Sequence, residues 1–243
     1  MSRRSVLARP DLVERLGAVK LLSVDVDGVL TDGGLYFTDD GRQSRRFNVR
    51  DGVGMKRALA AGIELAIVSA SAAQSIRHRG EILGVHHVFI GVEDKLAVIS
   101  GLCLDLGIGL AEVAHVGDDL NDLPLLRAVG CPLSVADAVP EVREAAVFVT
   151  ENDGGAGAVR EICDLVMEAR TACGGADARP GPEAKKKAGP QRARPVAKGG
   201  TVPVWSRMGK RADANQGRVR TRDSHTGGPA TIVLAYSLGA PNV

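Results

Sequence analysis

From residue 10 to residue 170, short β-branched runs alternate with longer segments of helical period, and few architectures accept such a pattern. The runs are LLSVDV, ELAIVS, HHVFIG, VAHVG and VFVT; between them stand VGMKRALAAG, DKLAVISGLCLDLG and LPLLRAVG. A last segment, GAVREICDLVMEA, sets Val159, Ile162, Leu165 and Val166 on one helical face. Parallel strands need long crossovers, so strand–helix alternation implies an α/β fold, a doubly wound parallel sheet with helices on both faces. Such sheets bind ligands beyond the carboxyl ends of their strands. The polar residues that end the runs are therefore the candidates for function.

One insertion interrupts the alternation. GLYFTDDGRQSRRFNV, residues 34–49, reads as a β-hairpin with Asp39, Asp40 and Gly41 in its turn. It falls between the first strand and the first helix after it, so it projects beside the ligand face.

The net charge of +2 hides two unlike polypeptides. Residues 1–170 hold 18 Lys+Arg and 25 Asp+Glu, a net of −7; residues 171–243 hold 13 and 4, a net of +9. Gly and Pro supply 18 of those last 73 residues, and PEAKKKAGPQRARPVAKGG can bury almost nothing. The chain thus divides into an N-terminal segment (1–18), a globular domain (19–170) and a basic tail expected to be disordered (171–243). Its composition reads as an inert or weakly basic tail, with the short apolar stretch ATIVLAY as an alternative docking peptide. With Trp205 and Tyr236 as its aromatics, the tail would support only weak, non-specific contact with nucleic acid. MSRRSVLARP lacks the apolar core of a signal peptide, and no apolar run approaches the roughly 18 residues of a membrane span. Cys103, Cys131, Cys163 and Cys173 form no metal or redox motif and read as reduced thiols. The expected location is the cytoplasm, with no membrane partner.

The strand ends collect an unusual set. The first run ends on Asp25 and Asp27, with Asp32 among glycines soon after; the second ends on Ser69. Lys95 opens a helix, and VAHVG leads to Asp118, Asp119 and Asp122 in GDDLND. In this fold these residues converge on one crevice. Carboxylates that close together repel unless a cation sits among them, and oxygen-only ligands suit a hard ion, Mg²⁺ above all. Each signal alone has a structural reading; GDDLND, for instance, is a good helix N-cap. Their order, each at a strand end, is what points to chemistry.

The set D-V-D-G-V-L-T-D-G, I-V-S-A-S, V-E-D-K and V-G-D-D-L-N-D resembles the haloacid dehalogenase superfamily of phosphatases over residues of roughly 19–168. FNVRDGVGMK, VADAVPEV and GGAGAVREICDL narrow the resemblance to the 3-deoxy-D-manno-octulosonate 8-phosphate phosphatase family. The resemblance implies a Rossmann-like core with no separate cap domain, and a homotetramer in which hairpins pack together. It implies Asp25 as nucleophile and Asp27 as acid and base, with Ser69 and Lys95 holding the phosphoryl group. Mg²⁺ would be held by Asp25, the carbonyl of Asp27 and Asp118, and Asp122 would orient metal-bound water. Substrate contacts would come from Asp27, Asn48, Val49, Arg50, Asp51, Gly52, Lys56, Arg79 and Lys95. The substrate would be a small phosphorylated sugar acid.

Arg42, Arg45, Arg46, Arg50, Lys56 and Arg57 face one acid, Asp51, between residues 42 and 57. A solvated surface is one reading of that cluster; a substrate with charge beyond its phosphate is the other. The resembling family reads T-G-R after the second strand, where this chain has Ser69-Ala70-Ser71. An arginine at 71 is thus missing, with Arg77 or Arg79 as possible substitutes, and Ser71→Arg is expected to strengthen binding of octulosonate 8-phosphate. A nonulosonate 9-phosphate is the competing substrate. Two other classes fit parts of the pattern. One is a non-catalytic oligomerisation domain related to cytidylyltransferase-associated domains, which would not keep Asp25, Asp27, Lys95 and Asp118. The other is a phosphoacceptor signalling domain, which would not need Asp27.

Overall fold

In the computed structural model the described residues are 8–174, all within one compact unit, Met1–Gly189. Of the stretch expected to be disordered (171–243), Thr171 and Ala172 instead end the last helix; residues 175–243, ATIVLAY among them, lie outside the described residues. Helix α1 (Pro10–Gly17) leads into β1 (Leu21–Val24). A hairpin of β2 (Tyr36–Phe37) and β3 (Gln43–Ser44) follows, then α2 (Val49–Ala60), β4 (Glu64–Ser69), α3 (Gln74–Leu83) and β5 (His87–Ile90). The second half runs α4 (Lys95–Leu106), β6 (Val113–Gly117), α5 (Leu123–Leu126), β7 (Cys131–Ser134), α6 (Pro140–Ala145), β8 (Phe148–Val149) and α7 (Ala158–Ala172).

Six strands form a parallel sheet in the order β5-β4-β1-β6-β7-β8. From β1 the chain first builds outward through β4 and β5, then returns to add β6, β7 and β8 on the other side. The crevice where the direction switches lies between the carboxyl ends of β1 and β6, where this class of sheet binds ligands. Side chains alternate across the sheet. Leu22 and Val24 join the core that includes Leu12 and Leu16 of α1, Met55 of α2 and Ile162 of α7. Leu21, Ala66 and Val113 join the second core, with Ile99 and Leu102 of α4 and Leu125 of α5. Both faces are buried, so the strands read as nearly continuous apolar runs. Val159, Ile162, Leu165 and Val166 are all buried on α7, as their spacing requires.

The structure adds α1, α3, α6 and β7 to the segments named from the sequence, and two of these bear directly on the core and the sheet. The N-terminal segment contains α1, whose Leu12 and Leu16 are fully buried against the core; Pro10 opens it at a position where a missing N–H costs nothing. Strand β7 is the other. CPLS is short and carries a proline, which argues against a strand inside a sheet. Pro132 is tolerated because its carbonyl, and hence its missing N–H, faces the start of the short edge strand β8, where Val147 N donates to Pro132 O at 2.9 Å. The hairpin stands where expected, with Tyr36 opposite Ser44 and Phe37 opposite Gln43. Gly41, at φ +79°, turns the chain as only glycine does cheaply.

Candidate active site

Asp25 follows β1 directly, and its N–H donates to Val116 O of β6 at 3.0 Å, which pins it to the crevice. Ser69 is the last residue of β4, and Asp118 follows β6. Together with Asp27, Ala70, Ser71, Asp119 and Asn121 they line a cavity of about 170 Å³. Larger cavities exist, one of about 550 Å³ along the sheet edge by His86 and His87, but that one gathers no cluster of carboxylates. Chemistry rather than size marks the crevice.

Behind this cavity lies a buried ionic chain. Lys95 Nζ sits 2.9 Å from Asp25 Oδ2 and 2.6 Å from Asp122 Oδ1. The ammonium enters as the first residue of α4, whose N-terminus is capped by the Asp94 carboxylate accepting from Ala97 N. His115 Nε2 lies 2.9 Å from Asp122 Oδ1, and His115 Nδ1 lies 3.2 Å from Ser23 Oγ. Ser23 and His115 are register partners on β1 and β6, so sheet pairing alone brings them together. The second Asp122 oxygen accepts from Asp118 N at 3.2 Å. Asp25, Asp118 and Asp122 each offer an oxygen within 4.8 Å of one another. Asp122 is nevertheless fully buried with both oxygens engaged, whereas Asp118 Oδ1 is buried and has no partner. An orphaned buried carboxylate oxygen beside Asp25 is the position a hard cation would fill.

The electrostatics reflect the crowding. Burial, then the charge of Asp122, pushes Asp25 up to about 6, even though Lys95 works the other way. Burial and the charges of Asp25 and Asp122 push Asp118 up to about 7. Burial also opposes the charge on Asp122, but the hydrogen bond from His115 and the Lys95 ammonium outweigh it and hold that carboxyl down at about 2. Burial works against the Lys95 ammonium, and the two carboxylates overcome it and raise its pKa. The site holds excess negative charge that a divalent cation would relieve.

Asp27 faces the cavity but is also held. Arg45, from the hairpin, donates from Nε to Asp27 Oδ1 at 2.6 Å and from Nη2 to Asp27 Oδ2 at 3.1 Å. The same Nη2 donates to Ser71 Oγ at 2.7 Å. A guanidinium thus stands at Ser71 after all, supplied by Arg45 rather than by Arg77 or Arg79.

The structure does not bring the remaining expected contacts to this cavity. Asn48 caps α2 by accepting from Arg50 N at 2.9 Å and donates to Gly155 O at 3.0 Å. Arg79 donates to Asn48 O and stacks over Phe47. Val49 and Lys56 are exposed, and Arg50 lines a separate cavity with Arg160 and Glu161. Gly52 is packed under Arg79 and Leu83. The resemblance places Asp51 among substrate contacts, but Asp51 is 1% exposed and its Oδ1 accepts from Arg160 N at 2.9 Å. Within this chain it caps the N-terminus of α7, where a carboxylate suits the helix dipole. Asp32 is likewise outside the cavity, paired with Arg46 at 2.9 Å. Asn121 and His115 are site residues that motif reading passes over. A histidine in the middle of a run buried on both faces is the signal that would have found the second.

Fold, cavity and carboxylate cluster together define a hydrolase of the haloacid dehalogenase type, and residues 88–162 match the family of haloacid dehalogenase-like hydrolases. The 3-deoxy-D-manno-octulosonate 8-phosphate phosphatase of Escherichia coli K12 is 42% identical over 160 residues, covering 66% of this chain and 85% of that one. A crystal structure of the Moraxella catarrhalis 3-deoxy-D-manno-octulosonate 8-phosphate phosphatase, in complex with magnesium ion, phosphate ion and KDO, superposes with a TM-score of 0.65 at 35% identity. It covers 67% of this chain and 94% of that one. The cobalt-bound Haemophilus influenzae phosphatase gives 0.63 at 36% identity, covering 67% and 95%. The chain belongs to the 3-deoxy-D-manno-octulosonate 8-phosphate phosphatase family of haloacid dehalogenase-like hydrolases.

Proposed function

We propose that this protein is a Mg²⁺-dependent phosphatase that hydrolyses a phosphorylated sugar acid, 3-deoxy-D-manno-octulosonate 8-phosphate or a close analogue, through an aspartyl phosphate. The observation that carries the reading is the partnerless buried Asp118 Oδ1 beside Asp25 at the switch point of the sheet. Asp25 and Asp118, with the backbone carbonyl of Asp27, would hold Mg²⁺. When bound, the ion would offset the repulsion between carboxylates and phosphate. Asp122, its oxygens already engaged, serves to position Lys95 and Asp118.

An Asp25 oxygen attacks phosphorus while the bond to the sugar oxygen breaks, and Asp27 gives that oxygen a proton. Water then attacks the aspartyl phosphate, passes a proton to Asp27, and releases phosphate and the Asp25 carboxylate. Ser69 donates to a phosphoryl oxygen, and Lys95 places a point charge behind it. Lys95 also keeps Asp25 ionised against its burial, as a nucleophile requires. A homotetramer belongs to the same reading and is supported by the exposed apolar hairpin, with Tyr36 at 56% and Phe37 at 67%. Buried free thiols at Cys103, Cys131 and Cys163 suit the cytoplasm. Among the described residues no helix is long and apolar enough to cross a membrane.

Phosphate release from a panel of phosphosugars, with Mg²⁺ and after chelation, tests the reading. Asp25→Asn should keep the fold and abolish release, since an amide neither attacks phosphorus nor binds Mg²⁺ well. Wild-type turnover by that variant, or turnover that survives chelation, overturns it.

A further inference from the structure

Among the cations of the hairpin and α2, Arg45 behaves unlike its neighbours. Arg42 pairs with Asp40, Arg46 with Asp32 and Arg57 with Asp164, and all three of these guanidinium groups are largely exposed. Those pairs are surface chemistry of small energetic weight. The Arg45 side chain is 1% exposed, and its partner is the cavity carboxylate Asp27. The fork takes both oxygens of Asp27, at 2.6 and 3.1 Å, and Ser71 Oγ at 2.7 Å as a third acceptor. Gln43 Oε1 accepts from its remaining nitrogen at 3.3 Å.

This arrangement conflicts with the role proposed for Asp27. A carboxylate whose two oxygens both face a guanidinium does not face a leaving sugar oxygen. Asp27 becomes available when Arg45 lets go, and a bidentate charge-assisted pair releases only to a comparable anion. A sugar carboxylate is such an anion; a neutral sugar phosphate offers only the phosphoryl group, which Ser69, Lys95 and the metal claim. Ser71 holds the guanidinium independently of Asp27, so Arg45 keeps its place at the cavity rim when the carboxylate turns away. We infer that Arg45 is a specificity-determining residue. It clamps Asp27 in the free protein and exchanges that partner for the carboxylate of the substrate, so that the acid–base residue is freed by substrates bearing a second negative group. The inference rests on the phosphatase reading for its kinetic form, and on geometry alone for the clamp.

The test compares full-length, Mg²⁺-loaded wild type with Arg45→Gln on two substrates: 3-deoxy-D-manno-octulosonate 8-phosphate and a neutral hexose phosphate. Arg45→Gln should lower kcat/KM on the acid by about ten- to a hundredfold and raise kcat on the neutral ester. Opposite signs are what a merely structural residue would not produce. Arg45→Lys keeps the charge without the fork, and serves if the glutamine variant misfolds; it should show a smaller loss on the acid and the same gain on the neutral ester. Equal losses on both substrates, or no change on either, overturn the inference. Should wild type hydrolyse neither ester, the phosphatase reading fails by itself. Calorimetric titration of the same two compounds then decides the clamp: loss of affinity for the acid alone in Arg45→Gln supports it, and equal affinity overturns it.

Discussion

Gly28 and Asp118 occupy space that no side chain at position 28 can share, because a Cβ there would lie 2.0 Å from Asp118 Oδ2. Gly28 also adopts φ +88°, in the left-handed region. The glycine that follows the aspartate pair is therefore what lets the β6 carboxylate approach the β1 end. Gly28→Ala should cost about 1–2 kcal/mol in backbone strain and displace Asp118. Mg²⁺ affinity measured by calorimetry should fall at least about tenfold. Wild-type affinity would show that Asp118 is not a ligand.

Metal-free stability should fall as pH rises through the physiological range. The ordinary carboxyl value is 3.8, and the folded chain raises Asp25 to about 6 and Asp118 to about 7. Between those limits the folded state keeps protons that the unfolded chain has lost, so stability declines with rising pH. Asp122, held near 2, has the opposite sign, but its contribution is lost only below about pH 4. Melting temperatures in EDTA should thus drop from pH 5 to pH 8. Added Mg²⁺ should raise them more at pH 8 than at pH 5, because ligands bind deprotonated. A flat metal-free profile would contradict the crowding at this site.

Much of the site is legible in the sequence. Asp25, Ser69 and Asp118 stand out because strands buried on both faces keep few polar residues except at their ends, Ser23 and His115 being the exceptions in β1 and β6. Lys95 stood out as the cation that opens the helix after β5. What stayed hidden depends on direction rather than type. Asp27 and Arg45 are 18 positions apart, and their pairing follows from the way the hairpin folds back over the cavity. Asp51 looked like a contact, yet it shares a helical face with Met55 and Ala58, and that face is buried. The resemblance implies a ligand, and the hydrogen bond from Arg160 N that makes Asp51 a cap joins residues 109 positions apart. Strand β7 was masked by Pro132, whose tolerance depends on how late β8 begins.

His115→Phe should separate positioning from chemistry. The substitution removes one of three donors to Asp122 and leaves Ser23 Oγ without its partner, both in the buried interior. Unsatisfied buried polar groups cost about 1–3 kcal/mol each, so chemical denaturation should show a loss of that order. Lys95 and Asp118 N still hold Asp122, so KM should stay close to wild type, while kcat should fall by about tenfold because Asp122, short of one donor, orients Lys95 less tightly. Unchanged stability and kcat would make His115 a spectator.

Ser71→Arg distinguishes a vacant site from a filled one. The sequence comparison favours a gain, because it finds no cation at 71. In the fold, Arg45 Nη2 is already 2.7 Å from Ser71 Oγ, so a second guanidinium would arrive beside the first. Like charges at that separation repel, and the longer side chain must displace the Arg45 fork from Asp27. The single variant should raise KM for octulosonate 8-phosphate on the order of tenfold. In the Arg45→Gln background the same change should recover binding, because the cation then enters an emptied position. The two substitutions are in contact, so their effects should be strongly non-additive, and a double-mutant cycle measures the coupling directly. Tighter binding by Ser71→Arg alone would mean that Arg45 does not supply the cation at this place.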